Sequence, residues 1–167
     1  QAKVALVTGA SRGIGKSIAQ SLAGEGYTVV GTATSDGGAQ RISDYLQELG
    51  NNGCGMNLNV ADAESVVTVV KAIGEKFAAP LVLVNNAGIN MAKRIEALEV
   101  DDWDRTFDTN LRSVYLFCKQ AWDLFVAQQR GVIVNMSSVM GQEGGVGSPA
   151  YCAAKSAIIM LTRCLAK

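Results

Sequence analysis

The chain has 167 residues, with 15 basic and 15 acidic side chains and no histidine. The balance of charge excludes a broad electrostatic case for nucleic acid or an anionic membrane surface as partner, and the missing histidine excludes a Ser-His-Asp triad, a Cys-His pair and any His-ligated metal site, so no metal is expected. Apolar residues make up 49% and charged residues 18%, which excludes disorder and predicts one domain with a packed core.

Residues 4–7 are an apolar run that ends in Thr8-Gly9, read as a buried strand. Residues 13–22 follow as a helix with Ile14, Ile18 and Leu22 on one face, stopped by Gly24 and Gly26. A second strand is predicted over 28–33, a helix over 39–49 and a third strand over 55–60. Asp62 is placed to cap the next helix, whose apolar stripe is Val66, Val69, Val70, Ile73 and Phe77. A fourth strand is expected over 81–84, a long helix over 101–128, a fifth strand over 132–135, a Gly-rich loop over 141–149 and a last helix over 151–167. Strands that are apolar along their length and alternate with helices predict an α/β fold, a doubly wound parallel sheet of the Rossmann type. The pattern halts on a helix where another strand is expected, so residues 1–167 are expected to form a single domain lacking the C-terminal part of its fold.

Cysteines 54, 118, 152 and 164 match no CxxC or zinc spacing, and they are expected as reduced, mostly buried thiols. No apolar run approaches the roughly 18 residues of a membrane span. A cytoplasmic location is expected on these grounds.

The junction of the first strand and first helix reads Thr8-Gly9-Ala10-Ser11-Arg12-Gly13-Ile14-Gly15. Glycines there make a tight turn and admit a ligand against backbone, and the helix start offers unpaired N–H groups to a pyrophosphate. The end of the second strand decides which dinucleotide. A carboxylate at that position would hold the ribose 2′-OH of NAD; here it is Ala33-Thr34-Ser35, neutral and rich in hydroxyls, with Arg12 in the facing loop. A cation and small hydroxyls suit a 2′-phosphate, so NADP(H) is expected. Asp36 lies only a few residues beyond and is the one charge that argues the other way.

These features occur together with Asn85-Asn86-Ala87-Gly88 after the fourth strand, Asn110 in the long helix, Ser138 after the fifth strand and Tyr151-x-x-x-Lys155. In this order and context the chain resembles a classical short-chain dehydrogenase/reductase over its whole length. Residues 3 to about 90 look most like the bacterial 3-oxoacyl-[acyl-carrier-protein] reductases, through Gly31 to Ser35, Gly38-Ala39-Gln40, Ile42-Ser43-Asp44-Tyr45-Leu46 and Leu58-Asn59-Val60. The likeness loosens at Asn90 to Arg94 and at Ser148-Pro149-Ala150. Members run to roughly 250 residues in one domain.

Tyr151 and Lys155 share a helix face. A free phenol, with a pKa of about 10, exchanges protons poorly near neutrality, and an ammonium one turn away favours the phenolate. Tyr151 is therefore expected to be the general acid in carbonyl reduction and the base in alcohol oxidation, with Lys155 also reaching the nicotinamide ribose. The resemblance implies that Ser138, rather than Ser137, holds the substrate oxygen. It also implies that Asn110 holds a proton-relay water. For the cofactor it implies Gly9, Ser11, Arg12, Gly13, Ile14, Gly15 and Thr34 at the phosphates, Asn59 and Val60 at the adenine, and Asn86, Ala87 and Gly88 where the cofactor lies close over the sheet edge, with Asn86 either a ligand or a cross-strand brace. The expected reaction is reduction of a ketone by NADPH, with a 3-oxoacyl group on acyl carrier protein as substrate. A related alcohol, sugar or acetoacetyl-CoA dehydrogenase is the alternative, as is a domain that binds nucleotide without turnover. A homo-oligomer, dimer or tetramer, is expected through the apolar second faces of the 101–128 and 151–167 helices.

Overall fold

The computed structural model describes residues 3–167. Five strands form one parallel sheet in the order β3-β2-β1-β4-β5: β1 (Val4–Val7), β2 (Thr28–Ala33), β3 (Cys54–Asn57), β4 (Val82–Asn85) and β5 (Val132–Asn135). Strand order reverses at β1, which has β2 on one side and β4 on the other, so a crevice opens beyond their carboxyl ends.

The period of two along the strands explains why both faces are covered. Val4 and Leu6 of β1 pack with α3 (Ala63–Lys76) and α5 (Ser113–Gln128) around Val66, Ile73 and Phe117. Ala5 and Val7 point the other way, onto α1 (Gly13–Gly24) and α2 (Asp36–Glu48), with Ala19, Ile42 and Leu46. A third, smaller cluster joins α5 to α7 (Pro149–Leu165) through Val114, Cys118 and Ile158.

The predicted elements are present with shifted boundaries, each for a local reason. Helix α1 runs two residues longer, and the stop falls to Gly26 with φ +81°. Helix α2 begins at Asp36 rather than 39, because extended Ser35 caps it by accepting from the Gly38 N–H at 3.2 Å. Strand β3 is shorter than expected. Beyond Asn57 the Asn59 side chain accepts from the Ala61 N–H at 3.1 Å and turns the chain toward α3, so Asn59 and Val60 do not end the strand. Asp62 caps α3 as predicted, and the Ser65 hydroxyl and Glu64 N–H hold its carboxyl below the usual carboxylate range. Strand β4 ends at Asn85 instead of 84.

The expected unbroken long helix is two α segments, α4 (Val100–Phe107) and α5, joined by a π turn over Asp108–Arg112. Strand β5 departs from the buried expectation: Val132 and Val134 are 54% and 41% exposed, since β4 is its only strand neighbour among the described residues and no helix there covers that face. The Gly-rich loop contains a short helix, α6 (Met140–Glu143), and α7 starts early, with Pro149 in its first turn. All four cysteines are free; contrary to expectation only Cys118 is buried, while Cys164, near the end of α7, is exposed.

Candidate active site

A cleft of about 480 Å³ lies at the crevice predicted by the strand order, walled by the Gly9–Gly15 loop, the end of β2, Leu58 and Val60, and the segment after β4. The loop is shaped by hydrogen bonds that turn its carbonyls inward. Asn86 Nδ2 donates to the Thr8 and Gly9 oxygens at 2.9 and 3.1 Å, and the Tyr45 hydroxyl donates to the Ala10 oxygen at 3.0 Å. Burial pushes the Tyr45 phenol up to about 12, so it remains a donor. Thr8 Oγ1 accepts from the Asn86 and Ala87 N–H groups, both at 3.0 Å, locking β4 to the loop. The first N–H groups of α1, at Gly13, Ile14 and Gly15, have no helical acceptor and lie at the cleft. Gly13 takes φ +55° there, and a Cβ on Gly15 would collide with the Gly9 carbonyl oxygen.

Among the described residues Arg12 is the only charged one in the cleft wall, and Thr32, Ala33 and Thr34 form its β2 side. Ser11, Ile14, Asn86, Ala87, Gly88 and Val60 also line it, as expected. Asn59 does not; its side chain serves the turn before α3, and Leu58 takes the place beside Val60. Asn86 braces the loop and also lines the cleft.

At Gly88 the cleft meets the second half of the site. A Cβ on Gly88 would stand 3.3 Å from Asn110 Oδ1 and 3.7 Å from Lys155 Nζ. Lys155 is 5% exposed, donates to the Met136 oxygen at 2.6 Å, and its ammonium stands 5.7 Å from the centre of the half-buried Tyr151 ring. Desolvation pulls the Lys155 pKa down. The adjacent serines differ in what they hold. Ser137 Oγ donates to the Lys155 oxygen at 2.7 Å and so braces α7, whereas Ser138 Oγ accepts from the Met140 N–H at 3.2 Å and keeps its own proton free. That division favours Ser138 as the donor to a substrate oxygen.

Asn110 is fully buried in the π turn. Its Oδ1 accepts from the Ile89 N–H at 2.8 Å and its Nδ2 donates to the Ile89 oxygen at 2.7 Å. The side chain thus clamps the segment after β4. Three supporting residues were not among the predicted ones: Thr8, Tyr45 and Leu58. Thr8 was within the motif, but no spacing rule marks a tyrosine on α2 as the partner of a loop carbonyl.

Fold and site together define a dinucleotide-binding domain of the dehydrogenase class. The chain belongs to the short chain dehydrogenase family, which matches residues 3–167. It is 46% identical, over its whole length, to the 3-oxoacyl-[acyl-carrier-protein] reductase FabG of Vibrio cholerae and 42% identical to that of Escherichia coli, and it covers 67% of each. The crystal structure of a "putative gluconate dehydrogenase" from Agrobacterium tumefaciens superposes with a TM-score of 0.93 at 32% identity, over 98% of this chain and 65% of the other. The chain thus spans about two thirds of the length of these relatives. The family implies a nicotinamide cofactor, and the residues present fit one: free N–H groups at a helix start, a single cation and no carboxylate in the wall. No described helix is long and apolar enough to cross a membrane.

Proposed function

We propose that the chain is the cofactor-binding and proton-transferring part of an NADPH-dependent reductase that converts a ketone to a secondary alcohol, with a 3-oxoacyl group on acyl carrier protein as substrate. One observation carries the reading: a cleft whose only charge among the described residues is Arg12 joins, through Gly88, a tyrosine with a buried lysine beside it. NADPH, when bound, supplies the hydride that reaches the carbonyl carbon. The α1 N–H groups bind its pyrophosphate, and Arg12 and Thr34 meet the 2′-phosphate. Ser138 donates to the carbonyl oxygen and orients it. Tyr151 gives that oxygen its proton, and the Lys155 ammonium stabilises the negative charge left on the phenol. Asn110 and Thr8 would keep the cofactor cleft in shape by fixing the backbone of Ile89 and of Asn86 and Ala87.

The similarity to the two FabG proteins supports the acyl-carrier-protein substrate. The structural likeness to a protein described as a gluconate dehydrogenase keeps a second reading, an NADP-dependent sugar or alcohol dehydrogenase. The segment where the sequence likeness loosens belongs to the substrate side: Lys93 pairs with Asp102 and ties residues 90–94 to α4. Consumption of NADPH with acetoacetyl-acyl carrier protein, against oxidation of gluconate and simple alcohols with NADP, separates the two. Turnover of the carrier-bound ketone alone supports the first reading. Nucleotide binding without turnover of any of them defeats both.

We further propose a single domain over residues 1–167, a cytoplasmic location and self-association through the outer faces of α5 and α7. Tyr115 and Trp122 are 49% and 46% exposed there and, with Leu161 and Leu165, flank one groove. A symmetric pair of such faces would cover them.

A further inference from the structure

The carboxylate next in sequence after the β2 wall of the cleft, Asp36, does not line it. Asp36 is the first residue of α2, three residues past the end of β2, where an acidic group in a dinucleotide site reads the ribose hydroxyl. Ala33 and Thr34 line the cleft, whereas Asp36 does not. Asn57, the last residue of β3, donates its Nδ2 to Asp36 Oδ1 at 2.8 Å. The partner is fixed by the sheet. Ala33 and Asn57 are opposite each other in the β2–β3 register, and the Leu58 N–H donates to the Ala33 oxygen at 2.8 Å, so the end of β3 stands beside the start of α2. The Ser35 cap holds Asp36 at the helix start, where its charge also suits the dipole.

We propose that Asn57 is a specificity-positioning residue, which keeps the Asp36 carboxylate toward β3 and so leaves Arg12 and Thr34 to face a 2′-phosphate. The inference rests on the reading of the cleft as an NADP(H) site. Without the amide of Asn57, the carboxylate is free to turn to its other staggered positions. One that faces the cleft would repel a 2′-phosphate and accept a hydrogen bond from a ribose 2′-OH. Asn57 then acts on cofactor choice while touching no cofactor. Both side chains are exposed, so the bond biases the carboxylate rather than locking it.

Calorimetric titration of the protein with 2′,5′-ADP and with 5′-ADP tests this without turnover. Asn57→Leu is expected to weaken 2′,5′-ADP by about three- to tenfold, the scale of a screened charge repulsion, and to leave 5′-ADP unchanged or tighter. The loss should vanish in Asp36→Asn/Asn57→Leu. It should also shrink at roughly 0.5 M salt, where screening shortens to a few ångströms. Equal weakening of both ligands, or a loss that persists in the double variant, overturns the role of Asn57 and leaves the NADPH reading intact. An unsubstituted protein that binds 2′,5′-ADP no better than 5′-ADP overturns the NADPH reading itself, and the inference with it.

Discussion

Asn110 is the residue whose removal discriminates most sharply between a clamp and a passive helix irregularity. Asn110→Ala deletes both hydrogen bonds to the Ile89 backbone, made at 2.8 and 2.7 Å. A buried group left without its partner costs about 1–3 kcal/mol, so two such groups set an upper range of about 2–6 kcal/mol. Ile89 is half-buried, and water can reach part of what is exposed. Asn110 itself is fully buried, and alanine leaves a space that its neighbours fill incompletely. The expected loss is therefore about 2–3 kcal/mol, equivalent to roughly 4–12 °C in Tm for a chain of this size. The assay is thermal unfolding followed by circular dichroism, with nucleotide affinity measured below the transition. Affinity should fall too, because Ile89 and Gly88 line the cleft. An Asn110→Ala protein with unchanged Tm and unchanged affinity would refute the clamp.

Arg12→Ala should weaken NADPH far more than NADH, by about 1.5–3 kcal/mol for the lost charge-assisted bond; equal losses in fluorescence titrations of the two cofactors sink the assignment. Tyr151→Phe should abolish turnover while Tm and nucleotide affinity stay put, since only the hydroxyl is removed; a retained rate defeats the proton-transfer role. Lys155→Met should stabilise the protein while abolishing activity, because the burial penalty of an ammonium with Met136 as its hydrogen-bond acceptor disappears. The sign with pH follows from the depressed folded pKa: the penalty is complete below that value and is relieved as pH rises toward the unfolded value of 10.5, so the Tm gap to Lys155→Met should narrow over that alkaline window. Trp122→Glu should shift the protein to smaller species in light scattering without lowering its Tm below the range of folded protein; an unchanged mass removes the α5–α7 interface.

The strand–helix alternation and the phosphate loop were legible because they depend on local patterns. An apolar run, a glycine at positive φ and a cap each speak through a few neighbouring residues. Gly13 and the Asp62 cap are of this kind. The π turn was not legible. Residues 101–128 carry a helical pattern throughout, and the extra residue of the turn is stabilised by Ile89, which lies 21 positions away in sequence. Asn59 shows a local competition that the pattern hides: its side chain accepts from the N–H of Ala61, two residues on, and turns the chain toward α3. Tyr45 stands in a segment that carries the family likeness, but its hydroxyl acquires meaning only once α2 has packed against the loop.

A common physical cause links the two halves of the site. The nucleotide half consists of backbone N–H groups that a helix start leaves without acceptors, while side chains from elsewhere satisfy the neighbouring carbonyls: Asn86 takes those of Thr8 and Gly9, and Tyr45 that of Ala10. The proton-transfer half is organised in the same way. Met136 orients Lys155, Ser137 fixes the α7 backbone at Lys155, and Asn110 fixes Ile89. Ser138 is left with a free donor while its neighbour Ser137 performs the structural work. This division explains why adjacent, chemically identical residues such as Ser137 and Ser138 carry different roles. It also predicts where a substitution acts: changes in the supporting set should move Tm and affinity together, and changes in the donor set should move rate or cofactor choice at constant Tm.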